Sequence, residues 1–203
     1  DVLTFEEIKR FAGICVEHFF VDGIRLTGGE PTVRAHLPIL VNQLAALRVP
    51  AHAPSAFAGK APDIALTTNG ATLRNVAHEL FTAGVSRVNV SLDTLQPEKF
   101  LAMTRRDEFH NVIAGIQEAQ QAGFHPVKVN AVIERGTNDD EIVDLATFGR
   151  ENNVEVRFIE FMPLDAEQGW TGNKVVSQDE IVQAIHAVYP LEQMSARGAA
   201  PAD

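Results

Sequence analysis

The sequence predicts an α/β fold, a partial (βα) barrel of TIM-like form that lacks its first strand. Three observations predict it. Helical and strand patterns alternate along the chain, which implies parallel βαβ units. Four of the strands alternate apolar and polar residues, so each has one apolar and one polar face. A helix opens the series, so a strand is expected upstream of Asp1.

Each element has a local reason. Thr4 and Glu7 form a capping box that starts a helix running to residue 18. Residues 23–27 read as a strand. Residues 37–47 read as a helix, with Pro38 in the first turn, where its missing N–H costs nothing. Residues 48–62 hold three prolines and five alanines without a period, which reads as a surface loop. A strand at 64–67, a helix at 73–83 ended by Gly84, and a strand at 87–91 follow. Residues 98–103 form a short helical turn, and 109–122 a helix closed by Gly123. A strand at 127–133, a helix at 139–151 and a strand at 154–161 come next. A last helix, 178–188, follows a polar loop. The barrel is expected over 1–190, and 191–203 as a flexible tail.

The chain has 203 residues, enough for one domain with a sizeable core, and 45% are apolar. No apolar run approaches the roughly 18–20 residues needed to span a bilayer, so no membrane partner is expected. Net charge is −10, which argues against broad binding to nucleic acid or anionic membrane. Cys15 is the one cysteine, so no internal disulfide forms and a cytoplasmic setting is the default. A lone thiol cannot hold an iron–sulfur cluster, which takes about three or four thiolates. Cys15, between Phe11, Ile14 and Val16, reads as a buried packing residue.

The strand pattern points to a wet lumen. Residues 24–27, 64–67, 88–91 and 127–130 place Ile, Leu and Val on one face. The other face carries Arg25, Thr27, Thr67, Asn89, Ser91, Lys128 and Asn130. Helices outside and polar side chains inside describe a barrel with a polar interior. The alternative is a half-exposed sheet with one solvated face.

Four signatures fall at predicted C-terminal strand ends, where parallel α/β folds bind ligands. They are Thr27-Gly28-Gly29-Glu30-Pro31, Thr67-Thr68-Asn69-Gly70, Ser91-Leu92-Asp93 and Phe161-Met162-Pro163. Gly28 and Gly29 permit close ligand approach, and Glu30 suits an ammonium group. Taken alone, the Gly-Gly and Asn-Gly pairs are also ordinary turns. Arg25, Lys128 and Arg157 are mid-strand cations, each needing a carboxylate, a wet lumen or an anionic ligand. Together they favour a polyanion such as a triphosphate. Snorkelling to solvent or structural pairing is the alternative for each. Strict alternation puts Arg157 and Met162 on opposite faces unless Met162 lies past the strand end. There is no HExxH, GxGxxG or P-loop, and the seven histidines show no metal-ligand spacing. Residues 138–141 read as an acidic helix start.

On these motifs the chain resembles the radical S-adenosylmethionine (SAM) superfamily. Within it, the chain is similar to the molybdenum cofactor biosynthesis protein A family of GTP 3′,8-cyclases. The likeness runs from about residue 3 to 185. Its most specific pieces are residues 25–31, 67–70, 87–93, 127–130 and 157–162. The resemblance implies SAM contacts at Gly29, Ser91 and Met162, with Gly28 and Glu30 near its amino group. It implies GTP contacts at Arg25, Thr67, Lys128 and Arg157. It also implies [4Fe-4S] clusters held by a CxxxCxxC loop and a C-terminal region, both expected outside this chain. For the intact enzyme it implies SAM cleavage to a 5′-deoxyadenosyl radical. That radical takes the ribose 3′ hydrogen of GTP, and the ribose carbon then attacks C8 in the first step of molybdopterin synthesis. The chain alone is expected to be inactive and to dimerise through an open strand edge. Two other readings stand beside this one: a Schiff-base lyase using Lys128, and a cluster-free nucleotide-binding module.

Overall fold

The computed structural model describes residues 2–163 and 170–194. The tail expected at 191–203 therefore lies mostly outside the described residues. Five strands form one sheet in sequential order, and every pairing is parallel. They are β1 (Gly23–Leu26), β2 (Asp63–Thr68), β3 (Arg87–Ser91), β4 (Val127–Ile133) and β5 (Val154–Glu160). The helices between them are α1 (Phe5–Phe19), α2 (Leu37–Ala45), α3 (Ala77–Ala83), α4 (Pro97–Thr104), α5 (Phe109–Ala122), α6 (Ile142–Asn152) and α7 (Gln178–His186).

The alternation seen in the sequence separates the two faces. Ile64, Leu66, Val88, Val90, Val127 and Val129 bury against Leu40, Leu44, Leu80, Val112 and Ile116 of the helices. A second cluster joins Ala131 and Ile133 to Ile142, Leu145, Ile181 and Ile185. Burial of this kind contributes about 1.5–3 kcal/mol per large aliphatic side chain. Sequential parallel strands, each followed by a helix, make the partial βα barrel that the pattern predicts.

Local chemistry sets the helix ends. Thr4 and Glu7 form the predicted capping box of α1, and Ser177 with Glu180 forms a second one at α7. The helix predicted over 73–83 is broken. Leu73–Asn75 is a 3-10 turn, and Val76 at φ −129° separates it from α3. The helix predicted from 139 likewise begins with a 3-10 turn, Asp139–Glu141. The turn predicted at 98–103 is a full helix, α4. Cys15 is half-buried rather than buried, and the neighbouring Val16 takes the core position. One side of α1 stays outside the core, with Phe11 67% and Phe19 72% exposed.

Candidate functional site

Strand register builds the polar face of the sheet. Thr67 pairs with Asn89, Asn89 with Lys128, and Lys128 with Glu155. One residue pair further along, Ser91 pairs with Asn130 and Asn130 with Arg157. Residues in register share a face, so these seven form two adjacent polar rows. Arg25 lies toward the β1 edge, in register with Ala65. Toward the N-terminal end of the strands, Arg87 and Asp63 form an ion pair.

Within the rows, Asn89 is buried and its Nδ2 donates to Thr67 Oγ1 at 3.4 Å. Lys128 Nζ lies 3.0 Å from Glu155 Oε1. Arg157 Nε donates to the same oxygen at 3.0 Å. The Lys128 and Arg157 side chains are 13% and 18% exposed, and that of Glu155 is 42%. Burial pushes the Glu155 carboxyl up, but the two cations outweigh it and hold the group below its ordinary range. Arg25 is exposed and makes no hydrogen bond or ion pair among the described residues. The structure thus joins Lys128 and Arg157 through Glu155, a residue the sequence reading missed.

The C-terminal edge carries the remaining predicted positions. Gly28 and Gly29 follow β1 with φ of 91° and 58°. Nothing lies within 4 Å of a Cβ built on either one. Their conformation calls for glycine, and the space beside them is open to a ligand. Glu30 caps the following 3-10 turn by accepting Thr32 N–H at 3.0 Å. Its Oε1 also accepts the hydroxyls of Thr32 at 2.5 Å and Thr68 at 2.6 Å. Its Oε2 accepts Asn69 N–H at 2.7 Å, which leaves that oxygen a second lone pair. Ser91 is exposed at the end of β3. Met162 lies beyond the end of β5 and is exposed, so strand parity no longer fixes its side.

A buried network holds this edge. Glu141 is 1% exposed and accepts Thr94 Oγ1 at 2.7 Å, Leu95 N–H at 2.7 Å and Lys99 Nζ at 3.1 Å. Asn138 Nδ2 donates to the carbonyls of Asp93 and Val132. Asp93 Oδ1 accepts Val132 N–H at 2.8 Å, while burial pushes its carboxyl up. The segment read as an acidic helix start therefore locks the loop after β3 onto the end of β4.

The sequence profile of the radical SAM superfamily matches residues 1–149. The chain belongs to the radical SAM superfamily. Two solved structures agree in fold. HydG, a maturase of the [FeFe]-hydrogenase, aligns with TM-score 0.61 at 14% identity, over 94% of this chain and 43% of that one. Coproporphyrinogen III oxidase (HemN) from Escherichia coli, a radical SAM enzyme, aligns with TM-score 0.57 at 15% identity, over 90% and 43%. Among curated sequences, the chain is 42% identical over 205 residues to GTP 3′,8-cyclase of Streptomyces coelicolor, covering 100% of this chain and 57% of that one. It is 45% identical over 198 residues to GTP 3′,8-cyclase of Acidothermus cellulolyticus, covering 97% and 51%. The chain spans about half the length of the curated relatives it matches.

Two groups used by this superfamily can be tested against the residues present. At that edge Gly28, Gly29, Glu30, Ser91 and Met162 offer open backbone, a carboxylate oxygen with a second lone pair, a hydroxyl and a thioether, groups that would suit SAM. A cluster does not fit, because Cys15 supplies one thiolate, from helix α1. Among the described residues, no group of three or more His, Cys, Asp or Glu is placed to hold a metal ion.

Proposed function

We propose that this chain is the ligand-positioning part of a GTP 3′,8-cyclase acting in molybdenum cofactor synthesis. GTP lies along the polar face and SAM at the C-terminal edge. The observation that carries the reading is the pairing of two half-buried cations, Lys128 and Arg157, over a single carboxylate on that face. Two cations against one anion leave net positive charge in a protein of net charge −10. Such a local site suits a triphosphate and not a broad nucleic-acid or membrane surface. Arg25 adds a third cation toward β1, and Thr67 a hydroxyl beside Asn89.

When bound, SAM would supply the hydrogen-abstracting radical. The chain's own residues hold and orient the two ligands. Lys128 and Arg157 neutralise phosphate oxygens, with Arg157 presenting a planar fork to them. Gly28 and Gly29 let the ligand reach the backbone, and Glu30 accepts from its ammonium. Fixing both ligands on one rigid sheet edge is how such a site contributes to rate. The shared Glu155 carboxylate supports this reading over a Schiff-base lyase, because it gathers two cations at one place, as a polyanion site requires. A cytoplasmic setting accords with the single cysteine. Among the described residues, no helix is long and apolar enough to cross a membrane.

Calorimetric titration with GTP and with guanosine tests the proposal. Binding of GTP with none of guanosine is expected; equal heats for both would overturn it.

A further inference from the structure

We infer that Glu155 is a specificity-determining residue of the anion site, a built-in counter-anion that a polyanionic phosphate must displace. This rests on the reading of Lys128 and Arg157 as phosphate ligands. Glu155 Oε1 takes both Lys128 Nζ and Arg157 Nε at 3.0 Å. Among the described residues neither cation has another protein partner, and both terminal nitrogens of Arg157 are left over. A carboxylate beside an anion site repels the ligand. Here it also removes the penalty of leaving two half-buried cations uncompensated when the site is empty. Glu155 is the most exposed of the three, so it can swing to solvent without losing hydration.

The exchange selects for charge. A monocarboxylate replaces one negative charge with another and gains nothing. A triphosphate brings several charges to the same two cations, and its oxygens fill the unused guanidinium donors. Glu155 therefore lowers affinity for every anion but raises the preference for polyphosphates.

Inorganic tripolyphosphate is the probe, titrated calorimetrically into the 203-residue chain. Glu155→Gln should bind it about three- to tenfold more tightly than the unaltered chain. Lys128→Ala combined with Arg157→Ala should bind it at least about tenfold more weakly. Glu151→Gln, an exposed change on α6, should leave binding unchanged. Glu155→Ala serves as a second variant should the amide disturb folding, with circular dichroism as the check on structure. A purely structural Glu155 predicts weaker or equal binding in both Glu155 variants, and that result overturns the inference. If Glu155→Gln fails to tighten binding while the double variant still weakens it, the counter-anion role of Glu155 is wrong and the anion site stands. If the double variant binds like the unaltered chain, the anion site itself fails.

Discussion

Glu30 Oε2 accepts the backbone N–H of Asn69 at 2.7 Å, tying the loop after β1 to the end of β2. Burial pushes the Glu30 carboxyl up, but the Asn69 and Thr32 N–H groups and the Thr32 and Thr68 hydroxyls more than offset this and hold it below the usual 4.5. Glu30→Ala leaves these donors without their acceptor and should cost about 1–3 kcal/mol in urea unfolding. The sign of the pH effect follows from a lowered folded value. The contribution is fully present above about 4.5 and is lost as pH falls through the lower folded value. The acid limb of the stability curve should be shallower in Glu30→Gln.

Gly70 and Gly28 should respond differently to alanine. Gly70 has φ of 79°, and a Cβ there would lie 2.8 Å from Val90 Cγ1 and 3.0 Å from Val112 Cγ1. Left-handed strain costs roughly 1–2 kcal/mol and core overpacking roughly 1–3 kcal/mol more. Gly28→Ala meets only the strain, because its surroundings are open. Denaturant midpoints should fall further for Gly70→Ala, and the reverse order would contradict this packing.

Glu141 is the buried anchor of the site edge. Glu141→Ala strands the Thr94 hydroxyl and the Leu95 N–H, while Lys99 keeps Asp140 Oδ1 at 2.6 Å, and should cost about 2 kcal/mol in chemical denaturation. A loss below about 0.5 kcal/mol, the size of a surface change, would show the network to be dispensable.

Much of this was legible in the sequence, and the gaps have physical causes. The strands at 87–91 and 127–133 and the helix at 109–122 match residue for residue, because their periods are clean and glycine closes the helix. The break at Val76 was not legible, since the apolar pattern runs through it. Glu155 was missed because its role exists only across strands. Register alone sets it beside Lys128, and its own strand then sets it beside Arg157. Glu141 was missed because an acidic residue at a helix start already has a local explanation. Its partners lie more than forty positions away in sequence.

The open side of the sheet carries its own expectation. β1 pairs with β2 alone among the described residues, and α1 beside it exposes Phe11, Ile14 and Phe19. Unpaired edges and apolar faces invite association. Light scattering at rising concentration should show dimers or larger species, and a clean monomer at high concentration would contradict this.

On the proposed reading, the cations of the polar face receive a triphosphate. GTP titration of the Lys128→Ala, Arg157→Ala double variant tests it most directly. A loss of affinity of at least about tenfold with folding intact is expected. GTP binding equal to that of the unaltered chain would contradict it.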